Sequence, residues 1–121
     1  MTNETQVMPA VALRGITILP DMIVHFDVSR KKSIRAIEEA MTKDQRIFLI
    51  TQKDPKVEEP SEDDLYKIGT VAMIKQVAKA PKDMLRVLVE GMERAELMQL
   101  EDGTSYLEAE VDVLEQEEEN L

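Results

Sequence analysis

Apolar and polar residues alternate with a period of two over most of this chain, and one short stretch switches to a helical period. Val7 to Leu13 reads as a first strand, and Pro9 places its start near a sheet edge because proline cannot donate to a ladder. After Arg14-Gly15 a second apolar run, Ile16 to Leu19, ends at Pro20-Asp21. In Met22 to Val28 the residues Met22, Val24, Phe26 and Val28 share one face and Ile23, His25 and Asp27 the other, which predicts a strand with one buried face. Ile34, Ile37 and Met41 then recur at helical spacing with Ala40 widening the stripe, so an amphipathic helix is expected over about residues 30–43. Ser29 is a candidate cap with Ser33 competing, Met41 belongs to the expected core, and Glu39 and Lys43 stand in the favourable i,i+4 order.

The nearly continuous apolar run Arg46 to Thr51 fits a strand buried on both faces. Residues 52–64 form a polar loop with two prolines and six acids. Leu65 to Lys79 and Met84 to Glu90, joined at Pro81-Lys82-Asp83, read as a long hairpin. Gly91 breaks the pattern, Met92 to Leu100 resumes it, and Asp102-Gly103 signals another turn. A last strand, Ser105 to Leu114, sets Leu107, Ala109, Val111 and Val113 against Glu108, Glu110 and Asp112, an acidic face expected to meet solvent. Six to seven strands and one helix without internal repeats predict a mainly β fold of the α+β class, a small twisted barrel or layered sheets with the helix packed on the side.

Composition narrows the function classes. The 121 residues are 43% apolar and 33% charged, enough for one domain with a single core. The net charge is −10, yet Met1 to Arg94 carry equal numbers of acids and bases, so the whole excess lies after them. This is a poor electrostatic match for nucleic acid. Without Cys there is no thiol catalysis and no thiolate metal site. Met1 to Gln6 has neither a basic nor an apolar signal region, and no stretch approaches the roughly 18 apolar residues of a membrane span. No membrane partner and a cytoplasmic location are the expectations.

Candidate chemistry is sparse. His25 is the one histidine, and nothing at metal-ligand spacing accompanies it. Glu58-Glu59 and Glu62-Asp63-Asp64 sit in a polar context that does not raise a carboxyl pKa, and four glycines form no phosphate-binding loop. No catalytic residue, metal ligand or cofactor-binding residue is assigned. The basic cluster Arg30, Lys31, Lys32 and Arg35 reads either as a solvated helix start or as an electrostatic interface for an acidic surface, such as the Glu-rich end of another copy. Of the eight methionines, Met22 and Met84 lie beside turns and are the expected exposed ones.

An ordered set of segments completes the reading: Val11 to Gly15, Leu19 to Met22, Val28 to Ile34, Ile47 to Lys53, Asp64 to Ala72, Ile74 to Gln76, Arg86 to Gly91 and Arg94-Ala95. Their order and spacing resemble the N-terminal domain of ATP-dependent Lon proteases over about residues 8–114. This sequence departs from the family pattern with Ala12 in place of Pro, Ser29 in place of Gly, and a Pro81-Lys82-Asp83-Met84 turn that lacks the usual glycine. The resemblance implies a PUA-like fold over residues 7–114, with 1–6 a disordered N-terminus and 115–121 an acidic linker or the start of a further helical region. It implies a non-catalytic domain that selects unfolded, damaged or tagged proteins and supports assembly. The parent would be an AAA+ protease with a Ser-Lys dyad, whose ATP and Mg belong to a module with no Walker sequence here.

By the same resemblance, other copies of the chain would be partners, as a weak dimer alone and a hexamer in the longer protein. The expected contacts are Leu19, Pro20, Met22 and Ile23, with Met84 at the hairpin tip and the strand edges after Pro9 and Pro20. The charge excess then reads as a consequence of where the chain stops, an excised fragment being expected over a stand-alone adaptor. An RNA-binding role is suggested only by analogy of fold.

Overall fold

The computed structural model describes residues 5–58, 60–102 and 105–114. Six strands and one helix follow in the order β1 (Thr5–Leu13), β2 (Ile23–Val28), α1 (Lys31–Met41), β3 (Arg46–Thr51), β4 (Ile68–Ala80), β5 (Met84–Asp102) and β6 (Leu107–Val113). The pairing order is β2-β5-β4-β3-β1-β6, and β5 also pairs β6, so five strands close into a ring. β5 makes this possible by its length. Its first half carries β2 on one side and β4 on the other, and its second half carries β4 and β6. β1 and β3 are parallel, with β2 and α1 in the connection between them.

Alternation along β3 divides the core in two. Phe48 and Ile50 face the ring interior with Ala10, Val71, Ala95 and Val111, one residue from each of the other ring strands. Ile47 and Leu49 face the opposite way, towards Ala36, Ile37 and Ala40 of α1 and Val87 and Val89 of β5. Small alanines on the helix let it lie close on the sheet, and full burial of a side chain such as Ile37 stabilises the fold by about 1.5–3 kcal/mol.

Several expectations are corrected. Thr5 and Gln6 are not a disordered end but pair with Asp112 and Val111. β1 is not a free edge, since β6 bonds it up to Ala10 and β3 from Ala10 onward; Pro9 is tolerated because it precedes the β3 ladder. The apolar run Ile16 to Leu19 joins no ladder and is held by side chains, with the Thr51 hydroxyl donating to the Ile16 carbonyl (2.9 Å) and the Thr70 hydroxyl to that of Ile18. The helix starts after Arg30, which makes no side-chain cap; Ser29 lies outside it and Ser33 is buried one turn in. Met41 is 37% exposed, because the buried face runs through Ser33, Ala36, Ile37 and Ala40 and leaves this last residue at its margin.

Glu108, Glu110 and Asp112 are half-buried rather than open to solvent, since β6 is flanked by β1 on one side and β5 on the other. The Glu39–Lys43 pair forms at 3.2 Å, and its hydrogen bond raises the Lys43 pKa above the ordinary value. The expected turn at residue 103 and the acids from Glu115 onward lie outside the described residues.

Candidate functional site

Leu19-Pro20-Asp21-Met22 is a tight turn leading into β2. The Met22 N–H donates to the Leu19 carbonyl at 3.2 Å, and Pro20 supplies the fixed φ of the second position. Asp21 takes the left-handed φ of 70° that the third position of a type II turn demands. The turn sits on Gly91. Asp21 N–H donates to the Gly91 carbonyl and Gly91 N–H to the Met22 carbonyl, both at 2.8 Å. A Cβ on Gly91 would lie 2.2 Å from the Leu19 carbonyl oxygen, so only glycine permits this approach.

The turn therefore brings together four of the five expected contact residues. Ile23 is 65% and Leu19 41% exposed, while Pro20 and Met22 are half-buried. Met22 Sδ accepts from the Leu19 N–H at 3.3 Å, which ties its side chain back to the turn. The fifth residue is elsewhere. Met84 pairs with Ala80 at the hairpin tip, beyond the Val28–Leu85 end of β2 and so a strand length from Ile23. It is half-buried, as is Met22, contrary to the expectation for both.

Besides Met41, the exposed methionines among the described residues are Met92 and Met98, each the extra residue of a bulge in β5 that turns it outward. Tyr66 and Met98 line one hollow of about 260 Å³, and Leu19 and Ile68 line another of about 160 Å³. The second hollow adjoins the turn through Leu19, whereas the first is lined largely by charge, with Lys53, Glu62, Asp63, Lys67 and Glu96 around Tyr66 and Met98. For Met92 and Met98 the sequence carried no signal, because bulges reverse the face that simple alternation assigns.

The basic cluster gathers at the start of α1. Arg30, Lys31 and Lys32 line a cavity of about 340 Å³ with Ser33, Glu58, Pro60 and Leu107, whereas Arg35 points away from it, exposed on the helix. Burial lowers the Arg30 pKa and the charge of Arg14 adds to this, while Glu58 opposes it; an arginine stays cationic at neutral pH regardless. Gln52, read from the sequence as part of a solvated loop, is buried and organises this end. Its Nε2 donates to the carbonyls of Asp54 (3.0 Å) and Val57 (2.9 Å), and its Oε1 accepts from Arg30 Nη2. His25 is exposed beside Asp27, and no group of three or more acidic or histidine side chains among the described residues could hold a metal ion.

With this geometry in hand the comparisons are decisive. Residues 7–121 match the family model of the ATP-dependent protease La (LON) substrate-binding domain. The chain belongs to this family. It is 50% identical to the Lon protease of Clostridium acetobutylicum over 111 residues, covering 92% of this chain and 14% of that one. The Lon protease of Lachnoclostridium phytofermentans is 47% identical over 121 residues, 100% of this chain and 15% of the relative. The Lon-family chain therefore spans about one seventh of the curated relatives it matches.

Solved structures agree on the fold. The N-terminal domain of Mycobacterium avium complex Lon protease superposes with a TM-score of 0.76 at 20% identity, covering 95% of this chain and 58% of that one. A Lon N-terminal domain protein from Xanthomonas campestris superposes at 0.70 with 13% identity, over 91% and 60% of the two chains. The departures from the family pattern do not disturb the Lon domain. At the hairpin tip Lys82 and Asp83 both adopt left-handed φ, 65° and 62°, in the turn where the family's glycine is missing.

Proposed function

We propose that this Lon substrate-binding domain captures unfolded, damaged or tagged protein segments through the apolar turn Leu19, Pro20, Met22 and Ile23, and passes them to a protease without cutting them itself. The observation that carries this reading is that Gly91 holds the turn outward beside β2, with Ile23 the most exposed large apolar residue of the described chain. A shallow apolar surface without a deep polar pocket suits weak, sequence-tolerant contact with many chains. The protease would be an ATP-dependent AAA+ enzyme with a Ser-Lys dyad that binds ATP and Mg outside this chain and works in the cytoplasm in protein quality control. Within it the domain would support a hexamer, and alone it would form at most a weak dimer.

Mixing the chain with a permanently unfolded apolar polypeptide tests the capture role. Met22→Ser with Ile23→Ser should weaken binding at least about fivefold, the loss of two apolar contacts. Because Met22 packs against the core the melting temperature should also fall, so binding is compared well below the transition of the variant. Ile23→Ser alone, at the exposed position, should weaken binding with little change in melting. Undiminished binding by the folded double variant sinks the assignment of the patch.

A further inference from the structure

The ring leaves β2 outside it, bonded to β5 alone. Which backbone groups this leaves open follows from the register. Gly91 N–H donates to the Met22 carbonyl, and Ile23 lies opposite Glu90, so Met22 and Gly91 occupy a hydrogen-bonded position of the antiparallel ladder. Such positions recur at every second residue. Val24, Phe26 and Val28 therefore turn their N–H and C=O groups towards β5, while those of Ile23, His25 and Asp27 point to the opposite side. Among the described residues no other backbone hydrogen bond reaches residues 23–28.

This edge lacks the usual protections. β2 contains no lysine, no proline and no bulge. Its one acidic side chain, Asp27, is engaged across the ladder, where Arg86 Nε donates to Oδ1 at 2.9 Å and Nη2 to Oδ2 at 3.1 Å. On the core side of the strand Val24 and Phe26 remain half-buried. Next to them a cavity of about 270 Å³ separates β2 from the end of β1, with Leu13, Ile16, Phe26 and Val28 among its walls.

We propose that β2 is a strand-addition site: an extended segment of an unfolded protein, apolar at every second residue, pairs with the open edge at Ile23, His25 and Asp27. The proposal rests on the capture role above and specifies its chemistry. Only an extended backbone offers donors and acceptors at the two-residue spacing of these groups. Its alternate side chains on the core side would cover Val24 and Phe26 and enter the cavity, which gives the preference for apolar residues there. The other side chains would stay in solvent beside Ile23, His25 and Asp27, which makes the site tolerant of sequence.

The test uses a soluble octapeptide in which valine alternates with serine between terminal lysines, unmodified or N-methylated on all valines or on all serines. Strand addition predicts that one methylated set binds about tenfold or more weakly, since its backbone donors face β2, and that the other binds as the unmodified peptide does. Loss with the serine set indicates antiparallel addition and loss with the valine set parallel addition. Binding should also slow amide exchange at Ile23, His25 and Asp27 more than at Val24 and Phe26.

His25→Pro removes an outward donor while leaving the β5 ladder its bonds, and should weaken binding with the circular dichroism spectrum kept. If that variant does not fold, the peptide series decides alone. Equal binding by both methylated sets overturns strand addition but leaves capture by the apolar turn standing. No binding of the unmodified peptide, together with none of the unfolded polypeptide, removes both. Protection of the same amides without peptide, rising with protein concentration as a dimer forms, means that a second copy occupies the edge and overturns the proposal.

Discussion

Gly91 shows how one residue without a side chain sets up a surface. It accepts from Asp21 and donates to Met22, and its missing Cβ leaves room for the Leu19 carbonyl. Gly91→Ala should destabilise the fold by about 1–3 kcal/mol, the range for a group forced into a filled space. Binding of unfolded polypeptide should fall with it, because the 19–22 turn loses its seat. Thermal melting and the binding assay read the two effects separately, and a variant that melts and binds like the parent contradicts this account. In the sequence Gly91 was visible only as a break in a strand pattern, since its partner lies 70 positions away. Gln52 was hidden for the same reason: its neighbours in the chain are polar, and only packing against Arg30 and the 54–57 loop buries it. Met41 failed differently, because helical period alone does not say where a buried face ends.

Among the elements, β2 is held to the molecule by one ladder, by Val28 in the core with Val24 and Phe26 packed against it, and by one cross-strand charge pair. The hydrogen bond from Arg86, with its positive charge, keeps the Asp27 carboxyl below its ordinary pKa. The folded state thus favours the ionised form, and the pair's stabilisation is present above the unfolded carboxylate pKa of about 3.9 and disappears as pH falls through the lower folded value. Asp27→Asn should accordingly be slightly less stable than the parent at neutral pH, with the two melting temperatures converging below about pH 4. A gap that persists in acid would assign the difference to something other than ionisation. β2 itself was legible as a strand, and so were β3 and the β4–β5 hairpin, because the face a residue takes depends on neighbours two to four positions away. The bulges that expose Met92 and Met98 were not, since an extra residue on one strand is defined only by its partner strand.

At the scale of the whole molecule the acidic excess falls partly on the seam that closes the ring. Glu101 lies opposite Glu108 and Glu96 opposite Asp112 in the β5–β6 ladder. Like charges directly opposite are unfavourable. Glu101→Lys should raise the melting temperature by about one to five degrees at low ionic strength, a gain that shrinks as salt screens the interaction of the exposed residue 101 with the half-buried Glu108. A salt-independent change would point to packing instead. The alternation along each strand and the helical stripe were properties of the chain read locally, and they determined the elements and the fold class, while the ordered set of segments between Val11 and Ala95 carried the family resemblance. Tertiary structure decided the rest: that β5 carries β2, β4 and β6 and so closes the ring, that Gly91 seats the Leu19–Met22 turn, and that β2 keeps an open edge. Each of these joins residues far apart in the chain, and the relation between distant residues is set by closure and packing of the whole rather than by any local period.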